Sequence, residues 1–180
     1  MGAAPRDAGE VGVAPPWWPV TTTKFVVMTL GTLGLYHYYW LYDNWKVLRE
    51  RGETGMNPVW RTFFAPITAF RLFERAAESA AAHRVRVHWS AIGIAVAYFA
   101  AHIAIFVGVP AWLTGPILLL PVLPVQITMA RVNAIAAPGA PRNGHLSLTN
   151  LIFLAGGAAL TAAAWTLDHQ VDLLLKEWNP

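Results

Sequence analysis

Forty-four consecutive residues, from Val87 to Ala130, carry no formal charge. At about 1.5 Å per residue that is roughly 66 Å of helix, about twice the ~30 Å hydrocarbon thickness of a bilayer, so the run has room for two membrane spans and a turn. Gly108-Val109-Pro110 supplies the turn. Two other stretches without charge, 25–42 and 143–167, are each long enough for one more crossing. Charged residues make up only 13% of the 180-residue chain and hydrophobic ones 56%, against about 25% charged in soluble domains, which points to the membrane class.

The expected fold is therefore all-α: an integral membrane bundle of four transmembrane helices, with an interfacial amphipathic or re-entrant helix after the first span. The spans are expected at about 25–42, 89–109, 112–130 and 147–167, and the interfacial helix at about 57–80. Residues 24–167 form the membrane domain, and 168–180 a short C-terminal tail. Residues 1–23 are expected to be a disordered, Pro/Ala-rich tail, because Pro5, Pro15, Pro16 and Pro19 fix φ and remove donors. Within it Trp17-Trp18 read as interfacial anchors. The first twenty residues lack the apolar core of a signal peptide, so 25–42 is expected to act as the insertion signal.

Asn57-Pro58 has the form of a helix cap followed by proline at the first helical position. Arg61 and Arg71 interrupt the helix that follows, and drawing each to the bilayer centre costs about 2.5 to 3.5 kcal/mol, which favours a surface position over a crossing. Pro66 should bend it, and Arg71 with Glu74 and Arg75 with Glu78 stand at pairing distance along it. Gly31 with Gly34, the row Gly93, Ala97 and Ala101, and the group Ala155, Gly156, Gly157, Ala159 and Ala163 form small-residue seams that let helices approach closely. Pro116, Pro121 and Pro124 should kink the third span, with Gln126 and Thr128 available to the freed carbonyls.

Basic residues are unevenly placed: eight lie in 43–88 and two in 131–143, against three elsewhere, Arg6, Lys24 and Lys176. With four spans, the positive-inside rule puts the 43–88 loop in the cytoplasm and both termini in the periplasm. Arg71, Arg75, Arg84 and Arg86 are the candidate contacts of this loop with anionic lipid headgroups, each interaction worth about 1 kcal/mol near a membrane surface, or with a membrane-protein partner or a second copy. Aromatics interleaved with these charges fit membrane burial better than base stacking, so no nucleic acid is expected.

Ionisable and amide residues inside spans are candidates for a polar path, and here they are His37, His102, Gln126 and Asn150. Straight helices would set His37 and His102 about 12 Å apart in depth, too far to share a metal ion. The chain has no cysteine and no phosphate-binding glycine loop, HExxH pattern or GxSxG elbow, so neither a cofactor nor a metal is expected. The reading is a non-enzymatic multi-pass membrane protein whose basic cytoplasmic loop contacts lipid or a partner; the alternative is a small transporter or channel with a polar path near the four residues above.

The segments Lys24-Phe25-Val26-Val27-Met28, Thr32-Leu33-Gly34-Leu35-Tyr36, Tyr39-Trp40 with Tyr42, and Asn44-Trp45-Lys46 form one part of a recognisable pattern. Pro58, Trp60-Arg61, Phe63-Phe64-Ala65-Pro66 and Leu72-Phe73 continue it, and Leu123-Pro124-Val125-Gln126, Asn133 and Asn150 extend it more loosely. Over about 17–73 the chain resembles a family of small bacterial inner-membrane proteins of unknown function. The resemblance implies a multi-span protein of the bacterial inner membrane and no particular activity.

Overall fold

The structure, a computed structural model, describes residues 13–53, 55 and 57–178. Among them the chain is all-helical: α1 (Thr22–Gly31), α2 (Leu35–Glu50), α3 (Pro58–Phe63), α4 (Ala65–Ala82), α5 (Ala91–Val107), α6 (Ala111–Ala136) and α7 (Leu148–Trp178). Two of these, α6 and α7, are long and apolar enough to cross a membrane, and α5 is apolar but shorter. α4 packs along α5, and α1 along α6. The core between them is aromatic, with Trp17, Phe25, Trp40, Trp45, Phe73 and Tyr98 all buried.

The first expected span is not one helix. α1 ends at Gly31, the chain reverses through Thr32, Leu33 and Gly34, and Phe25 of α1 meets Trp40 of α2 with ring centroids 5.2 Å apart. In a straight helix the fifteen residues between them would span about 22 Å. Local chemistry makes the turn. Gly34 sits at φ 89°, a left-handed conformation that glycine adopts without strain, and its N–H donates to the Thr29 carbonyl at 2.7 Å. The Thr32 hydroxyl donates to the Met28 carbonyl at 2.7 Å and accepts from the Tyr36 N–H at 2.9 Å, so one side chain closes α1 and caps α2. A Cβ on Gly34 would also come within 2.7 Å of Leu118 Cδ1.

The expected disordered tail also needs correction. Residues 1–12 lie outside the described residues, but 13–21 form an ordered strap with Trp17 only 2% exposed. The Trp17 N–H donates to Asn133 Oδ1 at 2.9 Å, Asn133 Nδ2 donates back to the Trp17 carbonyl at 3.0 Å, and the indole N–H donates to Ser79 Oγ at 3.2 Å. Trp18 N–H donates to Asn44 Oδ1 at 3.2 Å, and Gln126 Nε2 donates to the Val20 carbonyl at 2.9 Å. Val20 and Asn143 form a parallel bridge. Proline does exclude a helix here, but it leaves an extended backbone whose polar groups are met by amide side chains of α2 and α6 and by the backbone at Asn143.

The strap, hydrogen-bonded to Asn133 and Asn143, lies at the same end of the molecule as the 131–143 connection, whereas the sequence reading set the two on opposite sides of a membrane. The interfacial helix expected at 57–80 is two helices, because Phe64 leaves the helical path and Ala65-Pro66 starts α4. Pro66 is tolerated there since an N-terminal turn needs no donor from it. The tail expected at 168–180 continues α7 as far as Trp178, and its last two residues lie outside the described ones. α6 runs unbroken through Pro116, Pro121 and Pro124.

The small-residue seams are used in part. A Cβ on Gly157 would collide with the Gly31 carbonyl oxygen and stand 2.9 Å from its carbonyl carbon, so α7 meets α1 backbone to backbone. Gly115 brings α6 near α1 less tightly, where a Cβ would lie 3.2 Å from the Thr29 carbonyl oxygen. Gly156, next in sequence to Gly157, has open space beside it.

Candidate functional site

His37 sits in the first turn of α2 and is fully buried. Its Nδ1 meets the Gly34 carbonyl, which makes that nitrogen the donor, and Nε2 accepts from the Tyr98 hydroxyl at 2.8 Å. On α5, His102 Nδ1 donates to the Tyr98 carbonyl at 2.8 Å and Nε2 accepts from the Tyr38 hydroxyl at 3.0 Å. The two imidazole rings lie 5.9 Å apart, where straight helices would have separated them by depth. Folding α2 back at Gly34 removes that separation. All four ring nitrogens are occupied by hydrogen bonds, so the cluster has the chemistry of a packed neutral pair rather than a metal or proton-transfer site.

Gln126 and Asn150 do not join this cluster. The Gln126 carbonyl oxygen accepts from the Trp40 indole at 2.6 Å while its amide holds Val20, which ties α6 to α2 and the strap at once. Neither it nor Thr128 serves the carbonyls freed by the prolines: Thr128 Oγ1 donates to the Pro124 carbonyl and accepts from the Trp89 indole at 3.1 Å. Asn150 lies in the first turn of α7 and accepts from the Ser147 N–H and hydroxyl, both at 3.1 Å. A water path through His37 and Gln126 would have to pass two buried side chains that are already hydrogen-bonded, His37 at both ring nitrogens and Gln126 at its oxygen and its amide.

The four candidate arginines fall into two pairs. On α4, Arg71 meets Glu74 at 3.0 Å and Arg75 meets Glu78 at 3.1 Å, the pairs expected from their spacing, and Arg75 also reaches Glu53 at 4.0 Å. Arg84 and Arg86 lie in the connection between α4 and α5, both exposed, and no carboxylate stands within 4.0 Å of either among the described residues. Val85 and Val87 alternate with them and pack onto the core, while Arg84, left-handed at φ 57° in the turn that closes α4, and Arg86 are left at the surface. At the opposite end of α4 the α3–α4 corner exposes Val59, Trp60, Phe63, Phe64 and Ile67, and Arg61 lies 4.2 Å over the Trp45 ring.

One arrangement had no signal in the sequence. Lys24 is 6% exposed and its ammonium donates to Asn143 Oδ1 and to the His145 carbonyl, each at 2.7 Å. It faces a cavity of about 610 Å³ bounded by α1, α2, the 143–147 connection and the first turn of α7. Sequence spacing could not place a lysine at the start of α1 under a connection more than a hundred residues away.

No protein-family model, no curated protein and no solved structure matches the chain.

Proposed function

We propose that this is a non-enzymatic, multi-pass integral membrane protein in which α5, α6 and α7 cross the bilayer while α1 and α2 enter together as a hairpin and return. The observation that carries the reading is α7. It is 31 residues long, roughly 46 Å, and from Leu148 to Leu167 its surface is mostly apolar and exposed, with Leu148, Phe153 and Trp165 at 60% or more. Only a short stretch touches α1 and α6. Water does not tolerate an unpartnered apolar surface of this size, whereas lipid covers it without cost.

The strap, the α4–α5 connection and the α6–α7 connection gather at one end of the bundle, with Arg51, Arg84, Arg86 and Arg142. The positive-inside rule then puts this end in the cytoplasm, and the far end of α7 with Lys176 outside. In the bacterial inner membrane, where the resemblance would place the chain, the exposed arginines of this end meet an anionic lipid surface and engage phosphate, while the aromatic α3–α4 corner, which borders Tyr38 and Tyr42, lies deeper, against acyl chains.

The test has two arms. The protein is expected to stay in the membrane pellet through alkaline carbonate washing, and release into the soluble fraction would refute membrane integration. In purified protein, Arg84→Gln with Arg86→Gln should lower the preference for anionic over zwitterionic lipid several-fold. Arg71→Gln with Arg75→Gln should lower it less, since Glu74, Glu78 and Glu53 already offset those charges. Equal effects, or none, would count against the loop as the contact.

A further inference from the structure

The cavity beside Lys24 has two unlike ends. At one, Lys24 gives two of its three N–H donors to neutral oxygens, and no carboxylate lies within 4.0 Å of it among the described residues. Among the described residues no aspartate or glutamate lines the cavity itself, and Asp43 stands behind it, next to Tyr36 and Tyr39. Tyr36 lines the same space at 6% exposure, and its hydroxyl is buried without a hydrogen-bond partner. The first turn of α7, closed by the reciprocal bonds of Ser147 and Asn150, borders the cavity and adds the positive end of a long helix dipole. At the other end the walls are apolar, with Leu35 and Phe153 each at least 60% exposed on the rim.

We propose that this cavity binds an anionic amphiphile, its phosphate or carboxylate head on Lys24 and Tyr36 and its hydrocarbon chain along Leu35 and Phe153. An ammonium whose partners are only neutral oxygens has no carboxylate to offset its charge, and a turn of the Tyr36 side chain that brings its buried hydroxyl to the cavity gives that phenol the acceptor it lacks. A small inorganic anion would use the polar end alone. The volume of about 610 Å³ falls in the range of organic ligand sites, and the apolar rim opens toward the face where α7 is bare. The site is separate from the exposed arginines and does not depend on how many helices cross.

Native mass spectrometry of the detergent-purified full chain tests it, with dioleoyl phosphatidylglycerol, oleate, dioleoyl phosphatidylcholine and inorganic phosphate as probes. Phosphatidylglycerol or oleate should be retained at least tenfold better than phosphatidylcholine, and which of the two is held better names the head. Lys24→Gln should remove most of that preference, leaving only the several-fold part that Arg84 and Arg86 supply, and Lys24→Arg should keep it. Leu35→Trp, on the exposed rim and remote from the ammonium, should lower retention of every chain-bearing probe while leaving the protein folded. Equal retention of anionic and zwitterionic lipid would overturn the proposal, as would unchanged binding in both Lys24→Gln and Leu35→Trp. Full displacement of lipid by millimolar phosphate would also overturn it, because the affinity would then reside in the anion alone.

Discussion

Truncating the Trp17 indole would open a hole between α4, α6 and the strap and leave Ser79 Oγ without its donor. Trp17→Ala should therefore cost about 3 to 5 kcal/mol, the range for an aromatic removed from a packed core. Asn133→Ala tests the polar half of the same anchor. It leaves both the N–H and the carbonyl of Trp17 buried and unpaired, at about 1 to 3 kcal/mol each. Thermal unfolding in detergent should show both variants clearly below the native protein, and a native-like midpoint for either would mean that the strap contributes no stability. The residues that hold the strap could not be recognised beforehand. An asparagine near the end of an apolar helix looks the same whether it faces water or a backbone more than a hundred positions away, and two tryptophans before a span are ordinary interfacial anchors.

At the scale of elements, the sequence was most legible where the signal was local. The Asn57-Pro58 start of α3, the turn between α5 and α6 at Gly108, and the Arg71–Glu74 and Arg75–Glu78 pairs all rest on residues within a turn of one another. The reversal at Thr32–Gly34 was missed for the opposite reason. Gly31 and Gly34 fit a helix-packing seam as well as they fit a turn, and only the partners on α6 and α7 decide between the two. Both glycines in fact serve packing as well, Gly31 under Gly157 and Gly34 against Leu118. Gly157→Leu should push α7 off α1 and destabilise the protein by more than about 1 kcal/mol, whereas Gly156→Leu, with open space beside it, should be nearly neutral. The comparison reads the seam directly. If the two variants unfolded together, α7 would not be docked through Gly157.

For the whole molecule, one early reversal reassigns the N-terminal segment. A straight first helix puts it opposite the 131–143 connection, and a hairpin puts the two together; composition and charge counts fit both. The two helices long and apolar enough to cross a membrane were readable from uncharged run lengths, because bilayer thickness is a one-dimensional constraint. The placement of His37 beside His102, of Lys24 under Asn143, and of the strap across α6 was not, because each depends on a fold-back that joins distant parts of the chain. The absence of native cysteine makes single-cysteine labelling clean. Val13, Gly139 and Trp178 are exposed positions on the strap, the α6–α7 connection and the far end of α7. With a membrane-impermeant maleimide on intact cells, Val13→Cys and Gly139→Cys should both stay unlabelled until the membrane is opened, while Trp178→Cys labels at once. Labelling of Val13→Cys together with Trp178→Cys, with Gly139→Cys protected, would contradict the hairpin and restore a straight first crossing.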